Sequence, residues 1–95
     1  MATFIVRIVL HKAEFVEYKK LYESMNEEGF SDIIQSDKGI NYILPDGEYI
    51  INGKYTRSDI LSKAKSAIKK TLKEGSILIT ESNGMTWLNL DKQKS

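Results

Sequence analysis

Alternation opens the chain. From Ala2 to His11, Phe4, Val6, Ile8 and Leu10 fall on one face, and Ile5, Arg7, Val9 and His11 fall on the other. A strand apolar on one face and largely apolar on the second belongs in the middle of a sheet. After Ala13 the period lengthens, and Phe15, Tyr18, Leu21, Tyr22 and Met25 recur every three or four residues among glutamates and lysines. That stripe predicts an amphipathic helix, closed by Gly29 in the left-handed conformation and without a good N-cap at its start. Phe30 to Ser36 and Ile40 to Leu44 read as short strands joined by the tight turn Asp37-Lys38-Gly39. Pro45-Asp46-Gly47 is a second turn, after which Glu48 to Ile51 extends or bends that edge as far as Asn52-Gly53.

The helical period returns with Ile60, Leu61, Ala64, Ala67, Ile68 and Leu72, which predicts a second helix from about Ser58 to Lys73. Thr56 or Ser58 caps it, and Thr56-x-x-Asp59 has the spacing of a capping box. Gly75 breaks the helix, and Ser76 to Thr80 is a β-branched strand. Asn83-Gly84 then signals a two-residue hairpin into a short strand from Met85 to Leu90. The order β-α-β-β-α-β predicts an α+β, ferredoxin-like fold: a four-stranded antiparallel sheet, two helices on one face, and a short extra C-terminal strand. Residues 1–90 form a single domain, and 91–95 a polar tail expected to fray.

Composition narrows the chemistry. Ninety-five residues make one core, and the absence of cysteine excludes a disulfide framework, a zinc knuckle and a thiol nucleophile. No apolar run approaches the roughly 20 residues of a membrane span. Met1-Ala2-Thr3 begins no signal peptide, so the expectation is a soluble cytoplasmic domain with no membrane partner. The net charge of +1 hides a segregation. Between Arg57 and Lys73 there are six basic residues against Asp59 alone, whereas Glu14 to Glu28 holds five glutamates against Lys19 and Lys20.

Such a basic helix suits a phosphate backbone, with Lys63, Lys69, Lys70 and Lys73 as point charges and Arg57 as a fork; a solvated helix face is the more ordinary source of the same pattern. Tyr42, Tyr49 and Trp87 lie on strands but form no run of aromatics and glycines that would read bases, and they are assigned to packing. His11, the only histidine, sits at the end of the first strand where it can exchange protons near neutral pH. Arg7, between Ile5 and Val9, needs a partner at its tip. Glu81 or Asp32 would make that partner structural, and a cleaving phosphodiester would make it functional. Asp32, Asp37, Asp46 and Asp59 are scattered through turns and caps, so neither a metal site nor a cofactor is expected.

Longer stretches carry a resemblance. The strand Phe4 to His11, Tyr22-Glu23-Ser24-Met25, Glu28-Gly29-Phe30-Ser31, Tyr42-Ile43-Leu44-Pro45, Gly47-Glu48-Tyr49, Thr56-Arg57-Ser58-Asp59 and Ser76 to Ser82 occur in that order. Together they resemble the small bacterial and prophage GhoS-like family, the endoribonuclease antitoxins of type V toxin–antitoxin systems. The resemblance implies a ferredoxin-like protein similar to the CRISPR-associated Cas2 nucleases, one that cleaves the messenger RNA of a small membrane toxin. Metal-using members of that wider group carry an aspartate at the end of the first strand, where this chain has Leu10-His11. The residues therefore fit a metal-independent cleavage, with the RNA 2′-hydroxyl attacking and Arg7, His11 or Arg57 serving catalysis. Two other expectations stand beside it. One is a non-catalytic nucleic-acid-binding module using the basic helix. The other is a protein-interaction domain of a mobile element, or a homodimer, paired through an edge strand at Glu48 to Ile51 or Met85 to Leu90.

Overall fold

The computed structural model describes residues 2–93, so Met1 and the last two residues of the expected tail lie outside it. In chain order the described residues form β1 Ala2–Leu10, α1 Phe15–Glu27, β2 Ile33–Gln35, β3 Asn41–Ile43, β4 Glu48–Gly53, α2 Arg57–Lys69 and β5 Gly75–Ser82. β1 is the central strand of an antiparallel sheet ordered β4-β1-β5, as its two-faced apolar pattern predicted. It pairs with β4 from Ala2 to Arg7 and with β5 from Thr3 to Leu10. Phe4, Val6, Ile8 and Leu10 are buried against Leu21 and Met25 of α1 and Ile60, Ala64, Ala67 and Ile68 of α2. Both helices therefore cover one face, each large side chain there contributing about 1.5–3 kcal/mol. None of the described helices is long and apolar enough to cross a membrane.

Local chemistry sets the helix ends. Glu14 precedes α1, and its N–H donates to the Glu17 carboxylate at 2.8 Å, a cap that the sequence did not advertise because glutamate is a weak N-cap. At the other end Gly29 has φ +96°, and the Gly29 and Phe30 N–H groups donate to the carbonyls of Asn26 and Met25. This is a Schellman closure, and it drops Phe30 directly into the core. For α2 the Thr56–Asp59 capping box is formed in both directions, at 2.8 and 3.1 Å. The helix stops at Lys69, four residues earlier than its spacing predicted. Leu72 consequently falls outside the apolar stripe, in the left-handed region at φ +62° and 92% exposed. Phe15 leaves the stripe of α1 in the same way, 83% exposed in the first turn.

The four-stranded sheet is replaced by a three-stranded sheet and a two-stranded hairpin, β2-β3. The strand beside β1 is β4, which the sequence reading had made a mere extension of the hairpin edge. Ser31 and Ile50 exchange both backbone hydrogen bonds, at 2.9 and 2.7 Å, and so join the two sheets at one rung. The ladder stops there because the Ser31 hydroxyl takes the Ile33 N–H, at 3.0 Å, and the Asp32 carbonyl accepts from Leu44 N–H. Gly47 pins the following turn against β1. Its carbonyl accepts from Ile8 N–H at 2.8 Å, and a Cβ on it would meet the Ile8 carbonyl oxygen at 2.6 Å.

The C-terminal strand from Met85 to Leu90 is absent. At Asn83-Gly84 the Ser82 hydroxyl bonds both the N–H and the carbonyl of Gly84, which turns the chain away from β5 instead of folding it back as a hairpin. The segment reaches β3 on the far side of the molecule. There Trp87 meets Tyr42 edge-to-face at 5.5 Å, Asp91 accepts from Ile43 N–H, and Gln93 N–H donates to the Asn41 carbonyl. The tail expected to fray is thus tied down through Gln93. Of the two segments expected to pair copies, β4 is an edge of its sheet, bonded to β1 on one side and meeting Ser31 at a single rung on the other, whereas Met85 to Leu90 is not a strand.

Candidate nucleic-acid interface

The basic residues of α2 divide into two rows. Lys63 faces α1: its Nζ donates to the Glu28 carbonyl at 3.1 Å, lies 3.8 Å from the Glu28 carboxylate, and stands 5.5 Å from the centre of the Tyr55 ring. Seven residues on, Lys70 pairs with Glu27 at 3.1 Å. These two lysines bind the basic helix to the acidic one, and the charge segregation seen in the sequence is in part this internal pairing.

The second row faces away from α1. Lys65, Lys69 and Lys73 line a shallow depression of about 730 Å³ together with Ser62, Ser66 and His11. The three- and four-residue steps among Ser62, Lys65, Ser66 and Lys69 place these side chains along one strip of the helix. Lys73 lies beyond the helix end, where its N–H donates to the Thr71 hydroxyl at 3.2 Å. The same hydroxyl donates to the Ile68 carbonyl, so one buried threonine both closes α2 and fixes the start of the Lys73 segment. Cations at this end also complement the negative pole of the helix dipole.

His11 enters the depression from the end of β1. Its backbone N–H donates to the Glu74 carbonyl at 2.7 Å, continuing the β1–β5 register by one rung. Its Nε2 lies 2.9 Å from the Ser76 hydroxyl, and both side chains are exposed. Glu74 adds one negative charge to a strip otherwise carrying three lysines. The arrangement offers several positive point charges at helical spacing, hydroxyl donors between them, and an imidazole at one end.

The residues expected to act together are distributed differently. His11 comes together with Lys69 and Lys73, and with Lys65, which the charge count included but the expected binding set did not. Arg57 begins α2, about 18 Å along the helix from Lys69 at 1.5 Å per residue. Arg7 is four residues before His11, about 13 Å along the strand, and lines a different cleft. Its cross-strand neighbours are Glu48 and Leu78. Glu81 stands opposite Phe4 and so faces the other side of the sheet, whereas Asp32 shares the cleft with Arg7. Tyr49 is buried in the core, as its assignment to packing required, and desolvation helped by Asp32 pushes its phenol up to about 12. Among the described residues, no three histidine, aspartate or glutamate side chains group as ligands around a common point. No protein-family model matches this chain, and no curated protein matches it.

Proposed function

We propose that this domain binds RNA along the outer strip of α2 and cleaves it without a metal ion, as the resemblance to the GhoS-like antitoxins implies. The observation that carries the reading is the depression where Lys65, Lys69 and Lys73 line up beside His11 and Ser76. Three lysines free of the α1 pairing give a phosphate backbone a track, and the sequence-independent part of RNA affinity comes from such contacts. At the end of the track His11 takes the proton of the 2′-hydroxyl as that oxygen attacks the adjacent phosphorus. The P–O5′ bond breaks, leaving a 2′,3′-cyclic phosphate and a 5′-hydroxyl that takes up a proton from water. Lysine stabilises the charge that gathers on the phosphoryl oxygens.

The ferredoxin-like description belongs to the same proposal. β5-β1-β4 supplies three of its four strands in the required antiparallel order, and the Ser31–Ile50 rung joins the hairpin where the fourth would lie. A toxin messenger RNA is the target that the resemblance implies. The separation of Arg7 and Arg57 from His11 supports a second reading, in which the strip holds RNA and no cleavage follows.

A gel assay of purified protein with a pool of end-labelled RNAs, with and without EDTA, separates the two. Discrete products that persist in EDTA and vanish with His11→Ala support the nuclease. Intact RNA that shifts in a native gel leaves a binding module. Neither products nor a shift overturns both readings.

A further inference from the structure

A second depression, of about 630 Å³, opens on the other side of β1, between α1 and the turn that leads into β4. Phe15 stands at its rim, 83% exposed. Leaving that ring in water forgoes the stabilisation a buried phenylalanine gives. Tyr22 lies one helical stripe along α1, half out of the protein, and buried Tyr49 lines the depression as an un-ionised phenol. The remaining charged lining carries both signs, with Asp32, Asp46 and Glu48 as carboxylates and Arg7 and Lys19 as cations, Glu48 standing across the strand pair from Arg7. A purely apolar partner would strand those charges, and a simple anion would meet the carboxylates.

We propose that this cleft takes an unstacked guanine base. The inference rests on RNA being the ligand of the neighbouring basic strip. Exposed aromatic rings are what splayed bases stack on, and carboxylates and guanidinium groups are what read their edges. Guanine alone presents two adjacent donors, N1–H and the N2 amine, which a single carboxylate accepts in parallel. Adenine and cytosine place a ring-nitrogen acceptor beside their amine, and uracil flanks one N–H with two carbonyls, so each sets a lone pair against a carboxylate. The O6 and N7 acceptors on guanine's other edge match Arg7 or Lys19. Val9, which lines the cleft, is two residues from His11 in the basic depression, about 7 Å along the strand. A phosphate on the lysine strip and a base in the cleft are therefore within reach of neighbouring nucleotides. Phosphate affinity comes from α2, and sequence preference from α1 and the turn before β4.

The test is fluorescence anisotropy with labelled ten-nucleotide oligouridine, alone and with one central guanine, adenine or cytosine, at fixed salt. The expected result is binding about tenfold tighter when guanine is present. Phe15→Ala, and Asp32→Asn with Asp46→Asn and Glu48→Gln, should each erase that preference while leaving the salt dependence of oligouridine binding intact. Circular dichroism checks that each variant is folded. Salt-dependent binding with no preference for guanine, or a preference for another base, overturns the cleft and leaves the lysine strip standing. If no oligonucleotide binds, the RNA reading itself fails, and titration with guanosine 5′-monophosphate followed by amide NMR decides the cleft separately. Shifts confined to α1 and residues 44–49 would keep a guanine site, and their absence would remove it.

Discussion

Two lysines seven residues apart, Lys63 and Lys70, and three others, Lys65, Lys69 and Lys73, belong to one short segment and are identical as chemistry. The first two reach α1 and are answered by Glu28 and Glu27. The other three line an open strip beside His11. A charge count cannot tell a cation already engaged in holding two helices together from one available to a ligand. The difference is made by where α1 sits, and it divides the helix into a committed side and an available side.

The largest effect should follow from neutralising the available side. Lys65→Gln, Lys69→Gln and Lys73→Gln together are expected to weaken single-stranded RNA binding on the order of 100-fold near 0.1 M salt. The log–log salt slope should become shallower by about 2, since each phosphate contact on a single strand contributes about 0.7. Lys63→Gln with Lys70→Gln should leave affinity and slope where they were. Equal losses in the two sets would collapse the distinction between the rows.

The core beneath the helices has its own titration. Burial raises the Tyr49 phenol from 10.0 to about 12, so the folded state holds its proton more tightly than the unfolded chain does. Its contribution is complete below pH 10 and disappears as pH climbs from 10 through 12, a loss of order 2 kcal/mol. Urea unfolding between pH 8 and 12 should show Tyr49→Phe losing less stability over that interval than the parent. Parallel curves for the two proteins would place the alkaline sensitivity elsewhere.

Smaller effects attend the inter-helix pairs. Lys63→Gln should cost up to about 1 kcal/mol in urea unfolding, and Lys70→Gln less, since the Lys70–Glu27 pair is the more exposed of the two. A loss well above 1 kcal/mol for Lys70→Gln would show that this pair is more than a surface contact.

Much of the frame that creates this contrast could be read in advance. The alternation from Ala2, the Gly29 stop and the Thr56–Asp59 box each act through neighbours a few residues away, and all three are formed. What failed depended on distant partners or on competing hydroxyls. The Ser31 side chain takes the N–H that would have continued the ladder to β4, and Ser82 redirects a turn whose Asn-Gly dipeptide promised a hairpin. Periodicity put Phe15 and Leu72 on apolar faces, yet each stands at a helix end beyond the reach of the core. His11 could be singled out as a candidate from its residue type alone. That Lys65 joins it while Arg7 and Arg57 do not depends on the packing of α2 against β5, which no local pattern encodes.

The smallest expected effect lies just past the end of α2. Leu72, just past the helix, holds a branched side chain in the left-handed region at φ +62° and exposes it almost fully. That conformation costs a non-glycine residue about 1–2 kcal/mol, and the greater freedom of glycine in the unfolded chain returns about 0.5–1 kcal/mol of the gain. Leu72→Gly should therefore stabilise the domain by about 0.5–1 kcal/mol, visible as a higher urea midpoint at unchanged m-value. Because Lys65, Lys69 and Lys73 are untouched, RNA affinity should not move. If affinity falls while stability rises, the exposed leucine is itself part of the proposed RNA-binding surface, filling the gap between Lys69 and Lys73 on the available side.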